Sequence, residues 1–86
     1  MMTLYMAREF DGDGEANLKL CKTVEEALNV CVDEYKKLNE KNKIKNYYIN
    51  KGIYCLEVVI EYELYGSIFK NKDYSIEEFE IDVTNS

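Results

Sequence analysis

Thr23-Val24-Glu25-Glu26-Ala27-Leu28-Asn29-Val30-Cys31-Val32-Asp33-Glu34-Tyr35-Lys36-Lys37-Leu38 is the stretch that decides the fold, because it carries a helical period. Thr23 followed three residues later by Glu26 forms a capping box: the threonine oxygen suits the Glu26 amide, and the Glu26 carboxylate can turn back. Val24, Ala27, Leu28, Cys31, Tyr35 and Leu38 recur on one stripe. Glu25 and Glu26 stand at the positive end of the helix dipole; Lys36, Lys37 and Lys41 stand at the negative end. The spacing predicts a helix over residues 24–41.

On either side the period is two. In Thr3-Leu4-Tyr5-Met6-Ala7-Arg8-Glu9-Phe10, the residues Leu4, Met6 and Phe10 share one side, and Tyr5, Ala7 and Glu9 the other. Asp11-Gly12-Asp13-Gly14-Glu15 is a run of turn formers, and Leu18 and Leu20 share a face of a second strand, so residues 3–21 read as a hairpin. After the helix, alternation resumes at Ile44 with Tyr47, Tyr48 and Ile49, and a turn is expected at Asn50-Lys51-Gly52. A long strand is expected from Ile53 to Tyr65, a connection from Gly66 to Asp73, and a last strand from Tyr74 to about Val83. The order is ββαβββ, an α+β fold with one helix packed on one face of an antiparallel sheet. Residues 1–86 read as a single domain, with no linker or repeat to divide them.

Composition narrows the function. A chain of 86 residues that is 47% hydrophobic is too apolar for intrinsic disorder, yet short enough that its core is thin. There is no histidine, tryptophan or proline, which removes most catalytic and metal-site designs. Lys, Asn, Ile and Tyr, all A/T-rich codons, supply 33 residues; this points to a low-GC bacterium or to a phage or mobile element within one. Cys21, Cys31 and Cys55 lie 10 and 24 residues apart, without the close pairs or four ligands that zinc needs, and are read as free thiols. With no secretion signal and no apolar run of about 20 residues, the expected compartment is the cytoplasm, with no membrane contact.

Asp11, Asp13, Glu15 and Asn17 imitate the start of a calcium loop, but Ala16 and Lys22 stand where glycine and glutamate belong. No metal and no cofactor is expected. The four glycines are all in turns, so there is no phosphate loop, and no base stands beside a nucleophile. The chain is therefore expected not to be an enzyme. The lysines of residues 36–51 interleave with tyrosines, but a net charge of −6 opposes direct nucleic-acid binding.

Charge is unevenly spread: −5 over residues 1–35, +5 over 36–56 and −6 over 57–86. If Val58, Ile60, Tyr62 and Leu64 face the core, then Glu57, Glu61 and Glu63 face outward with Val59 and Tyr65. If Phe79, Ile81 and Val83 face inward in the last strand, Glu78, Glu80 and Asp82 face outward too. Pairing the two strands would set six carboxylates on one face, about 4.8 Å apart between strands. Like charges so placed are destabilising, so the array invites a functional reading. Duplex DNA presents one negative charge per about 1.7 Å, and a regular acidic face can imitate it.

In size and charge the chain resembles small acidic phage-encoded inhibitors, anti-CRISPR proteins and other DNA mimics among them; the resemblance carries no residue over. It implies a non-enzymatic inhibitor whose partner is a basic nucleic-acid-binding host protein or complex, or a nuclease. The partner-binding residues would be Glu57, Glu61, Glu63, Tyr65, Glu78, Glu80 and Asp82. The alternative is a homo-oligomeric interaction module, a homodimer among the possibilities, associating through a strand edge or a tyrosine-bearing face. A third reading is a phage sponge that holds a small signalling molecule.

Overall fold

The structure, a computed structural model, describes residues 1–82. It is a five-stranded antiparallel sheet with one helix, in the chain order β1 (Met2–Asp11), β2 (Gly14–Cys21), α1 (Val24–Leu38), β3 (Lys43–Lys51), β4 (Leu56–Leu64) and β5 (Ser67–Ile81). The ββαβββ reading stands. In space the strands run β2-β1-β5-β4-β3, so the first strand takes its inner partner from the last.

The helix forms as its caps dictate. Thr23 Oγ1 accepts from the Glu26 amide at 3.1 Å, and Glu26 Oε2 accepts from the Lys22 amide at 3.3 Å. It ends three residues before the expected 41, because Asn39 turns both its backbone N–H (3.0 Å) and its side-chain Nδ2 (3.1 Å) onto the Tyr35 carbonyl. Ala27, Cys31, Val32 and Tyr35 are the buried side of α1; Leu38, expected on that stripe, is 62% exposed in the last turn. Opposite them lie Ala7, Cys21, Val58, Ile60, Tyr74 and Ile76. Two alanines, Ala7 and Ala27, are fully buried where helix and sheet meet, and their small side chains let the two backbones approach. The wider end of the core is aromatic: the Tyr35 ring lies 5.6 Å from Tyr62 and 6.4 Å, edge-on, from Tyr74.

The largest departure from the expected boundaries is β5. The segment Gly66–Asp73, read as a connection, is mostly strand, and the turn shrinks to Tyr65-Gly66 with φ of 51° and 79°. Two consecutive positive φ values between strands are the mark of a type I′ turn, whose twist matches that of the hairpin. Conversely, β4 starts at Leu56 rather than Ile53, because Gly52–Cys55 forms a small loop closed by the Gly52 amide on the Cys55 carbonyl at 3.0 Å.

At 15 residues β5 is shared. Its first part, Ser67–Ile76, pairs with β4, and its last part, Tyr74–Ile81, pairs with β1. The sheet is thus two three-stranded blocks joined through one long strand. The molecule extends 57 Å with a radius of gyration of 14.3 Å, against about 12 Å for a compact chain of this length. Bulges at Leu18, Lys45 and Lys72–Asp73 adjust the register within each block. Leu18 turns toward the core, while Leu20 lies opposite Met6 on the other face, so the two leucines do not share a side.

Candidate functional site

Paired strand residues point to the same face, so the register assigns every side chain a side. On the helix side lie Tyr5, Ala7 and Glu9 of β1, with Ile76 and Tyr74 of β5 opposite Ala7 and Glu9, and Val58 and Ile60 of β4 beyond. The helix-free side carries Met2, Leu4, Met6, Arg8 and Phe10 of β1, and Ser75, Glu77, Phe79 and Ile81 of β5. Glu57, Glu61 and Glu63 of β4 are on that side too, because Glu57 pairs with Ser75.

This register dismantles the six-carboxylate array. β4 and β5 do pair as a hairpin, but Glu57, Glu61 and Glu63 meet Ser75, Lys70 and Ile68. Glu78 and Glu80 lie opposite Tyr5 and Thr3, on the helix side and past the start of β4. Asp82 follows the end of β5, and Tyr65 stands at the hairpin tip, 92% exposed. Val83 lies outside the described residues. The cause is a parity change within β5. Tyr74 and Ile76 are even-numbered apolar positions and fill the core, whereas Phe79 and Ile81 are odd and cannot share their face. What remains is a row of three carboxylates on β4. One of them is already engaged: Glu61 accepts from Asn46 Nδ2 at 3.3 Å and lies 3.8 Å from Lys70 Nζ. Val59, on the same side, is fully buried.

The helix-free side also carries a set of apolar residues. Leu20 of β2, Met2, Leu4 and Met6 of β1, and Phe79 and Ile81 of β5 form one apolar field across three adjacent strands. Leu4 faces Phe79, Met2 faces Ile81 and Met6 faces Leu20. Among the described residues, no element packs over it: α1 is the only helix and lies on the other face. Arg8 borders the field, ion-paired to Glu77 and, at 3.5 Å, to Glu15; its Nε donates to Asn17 Oδ1 at 3.0 Å, and its guanidinium lies 5.6 Å from the Phe79 ring centre. The signal was present in the sequence. β1 is apolar at both even and odd positions, the pattern of a strand buried on both faces.

A cleft of about 660 Å³ opens where the β1–β2 hairpin leaves β5 beneath the end of α1, with Glu9, Asp11 and Asp73 among its walls beside Phe10, Tyr35 and Tyr74. Its lining has three carboxylates and no basic group, so it disfavours an anionic ligand such as a nucleotide. Its phenols are held neutral. Burial raises Tyr74 well above the ordinary range, and the hydrogen bond from its hydroxyl to Glu9 Oε2 at 2.8 Å adds to the effect. Burial likewise raises Tyr35, against an opposing hydrogen bond from Asn42. Among the thiols, burial pushes Cys31 up to about 12 and raises Cys21, which keeps both protonated at neutral pH and poorly nucleophilic.

Comparison of the chain with family models, curated proteins and solved structures gives no match.

Proposed function

We propose that the protein is a non-enzymatic protein-interaction module whose working surface is the helix-free face of the sheet. One observation carries this reading: the uncovered apolar field of Met2, Leu4, Met6, Leu20, Phe79 and Ile81. Scattered exposed apolar residues are ordinary on a monomer, but a contiguous set rimmed by charged groups marks a binding surface. The rim here is Arg8 with Glu15 and Glu77.

A second reading keeps the inhibitor of a basic nucleic-acid-binding complex. It is supported by the row Glu57, Glu61 and Glu63 on the same face and by the net charge of −6. The two readings separate by which residues hold the partner and by salt. In co-purification from the producing cell, Leu4→Glu with Phe79→Glu should abolish capture under the first reading, and added salt should change little. Under the second, Glu57→Gln with Glu61→Gln and Glu63→Gln should abolish it, and salt should release the partner. Capture that survives both sets of changes would sink both.

A further inference from the structure

We propose that a basic segment of a partner protein adds as a further strand to the free edge of β5 at Ser67–Asn71, and lays a lysine or arginine in the acidic cleft at the head of that edge. The site lies apart from the helix-free apolar field and goes beyond the reading built on that field.

The stepped sheet creates the edge. β1 accompanies β5 only over Tyr74–Ile81, whereas Ser67–Asn71 pair with β4 alone. Past Glu9 the β1–β2 hairpin closes with Asp11 opposite Gly14, so no strand continues the line of β1 alongside Ser67–Asn71. In an antiparallel pair every second residue turns its N–H and C=O away from its partner. This stretch of β5 therefore holds a row of backbone groups that β4 does not use, and such a row is a template for an added strand. At ~3.4 Å per residue it runs for about 17 Å.

The outer edge of β3 is equipped differently. It carries Lys43, Lys45 and Lys51 and a bulge, the devices that keep a strand from pairing. On the β5 edge the lysine at its centre, Lys70, is held on the helix-free side, 3.8 Å from Glu61.

Charge selects the occupant. The cleft at the head of the edge has Glu9, Asp11 and Asp73 in its walls, and among the described residues no lysine or arginine lies within 4.0 Å of any of these carboxylates. Tyr35, Leu38 and Tyr74 stand beside them, which suits the aliphatic stem of a lysine or arginine below its charged head. Further along the edge Phe69, 46% exposed and stacked on Tyr62 at 5.6 Å, offers an apolar cross-strand neighbour on the helix side. Main-chain bonds thus supply affinity, and the cleft supplies the preference for positive charge.

The test is a titration of isotope-labelled, full-length protein with the capped peptide Thr-Lys-Thr-Lys-Val-Lys-Thr, followed by amide spectra. Sub-millimolar peptide should shift the amides of Asp11 and of residues 67–73, and slow hydrogen exchange at alternate residues of Ser67–Asn71. The same peptide with its central amides N-methylated keeps its charge but loses its strand donors, and should bind at least about tenfold more weakly. Glutamate in place of lysine should abolish binding. Asp11→Asn with Asp73→Asn should weaken the lysine peptide about tenfold. Each asparagine can still accept the bond that the aspartate accepts now, from the Asp13 amide and from Asn71 Nδ2, so the fold is kept. Leu4→Glu with Phe79→Glu, on the helix-free face, should leave the titration unchanged. An absence of shifts at millimolar peptide overturns the proposal. So does an N-methylated peptide that binds as well as its parent, since charge alone would then account for the contact. Undiminished binding by the paired asparagine variant overturns it as well. Loss of binding in the folded Leu4→Glu, Phe79→Glu variant would put the site on the other face and overturn it too.

Discussion

The Tyr74 hydroxyl donates to Glu9 Oε2 at 2.8 Å, joining β5 to β1 across 65 positions of sequence at the point where the two blocks of the sheet meet. Tyr74 is buried, and its ring also meets Tyr35 edge-on. A hydrogen bond to a carboxylate in this setting stabilises by about 1.5–3 kcal/mol, and the Glu9 side chain keeps some access to water. Tyr74→Phe, which keeps the ring contacts, should therefore cost about 1.5 kcal/mol in urea unfolding. Tyr74→Ala, which empties the junction, should cost about 3–5 kcal/mol.

Alkaline pH should destabilise the protein before it reaches the ordinary tyrosine range. Burial raises Cys31 from 9.0 to about 12. Between those values the unfolded chain has lost a proton that the native state retains, so stability falls as pH rises. Urea midpoints should be level from neutral pH to about 9 and then decline, by up to about 1.4 kcal/mol per pH unit from this group. Tyr74, raised for the same reason, adds to the decline above 10. Midpoints that stay level to pH 11 would contradict this account of the core.

The thiols should divide by burial. Cys21 lies opposite Tyr5 on the helix side and is 2% exposed, so Cys21→Ser should cost about 1–3 kcal/mol, as should Cys31→Ser. Cys55, half-buried in the loop before β4, should tolerate serine within about 0.5 kcal/mol. Denaturant titrations of the three single variants separate them.

Two glycines should resist alanine for different reasons. At Gly66, φ is 79°, and a side chain there costs about 1–2 kcal/mol from the left-handed backbone alone. At Gly52 the obstacle is contact, since a Cβ would stand 2.5 Å from the Cys55 carbonyl oxygen. Gly52→Ala should therefore open the loop and lower the midpoint by about 1–3 kcal/mol. Gly12, which meets nothing within 4 Å, should accept alanine at little cost and serves as the control.

How much of this was legible in the sequence depends on whether local chemistry or distant pairing decides. The start of α1 follows from Thr23 and Glu26, and the strand–helix alternation follows from the change of period at Ile44; both are local. The Tyr65-Gly66 turn is local too, but tyrosine at positive φ is rare, so the sequence alone reads Gly66–Asp73 as a connection where the structure has a two-residue turn and the first half of β5. The faces of β5 were not local. Phe79 and Ile81 are as apolar as Tyr74 and Ile76, and only pairing with β1 decides which pair meets the helix. An inward Phe79 would turn Glu78 and Glu80 outward, and the acidic array rests on that single parity. The same parity conceals the apolar field, because β1 and the last part of β5 are apolar on both faces while the single helix covers one.

The sharing of β5 also sets the order in which the molecule can be completed. β1 and β2 form a hairpin from the first residues and α1 can dock on it, yet the inner edge of β1 has no partner until residues 74–81 exist. During synthesis the N-terminal block therefore waits through more than half of the chain with that row of amides and carbonyls unpaired. Its apolar positions are open on one face and half-covered on the other. Such an intermediate is a template for the wrong strand. Pairings this distant are also slow to close, because loop entropy must be overcome before the contacts reward it. The strand that joins the two blocks is thus also the last latch of folding, and a truncation that removes residues 77–82 would strand the N-terminal half in its unlatched form.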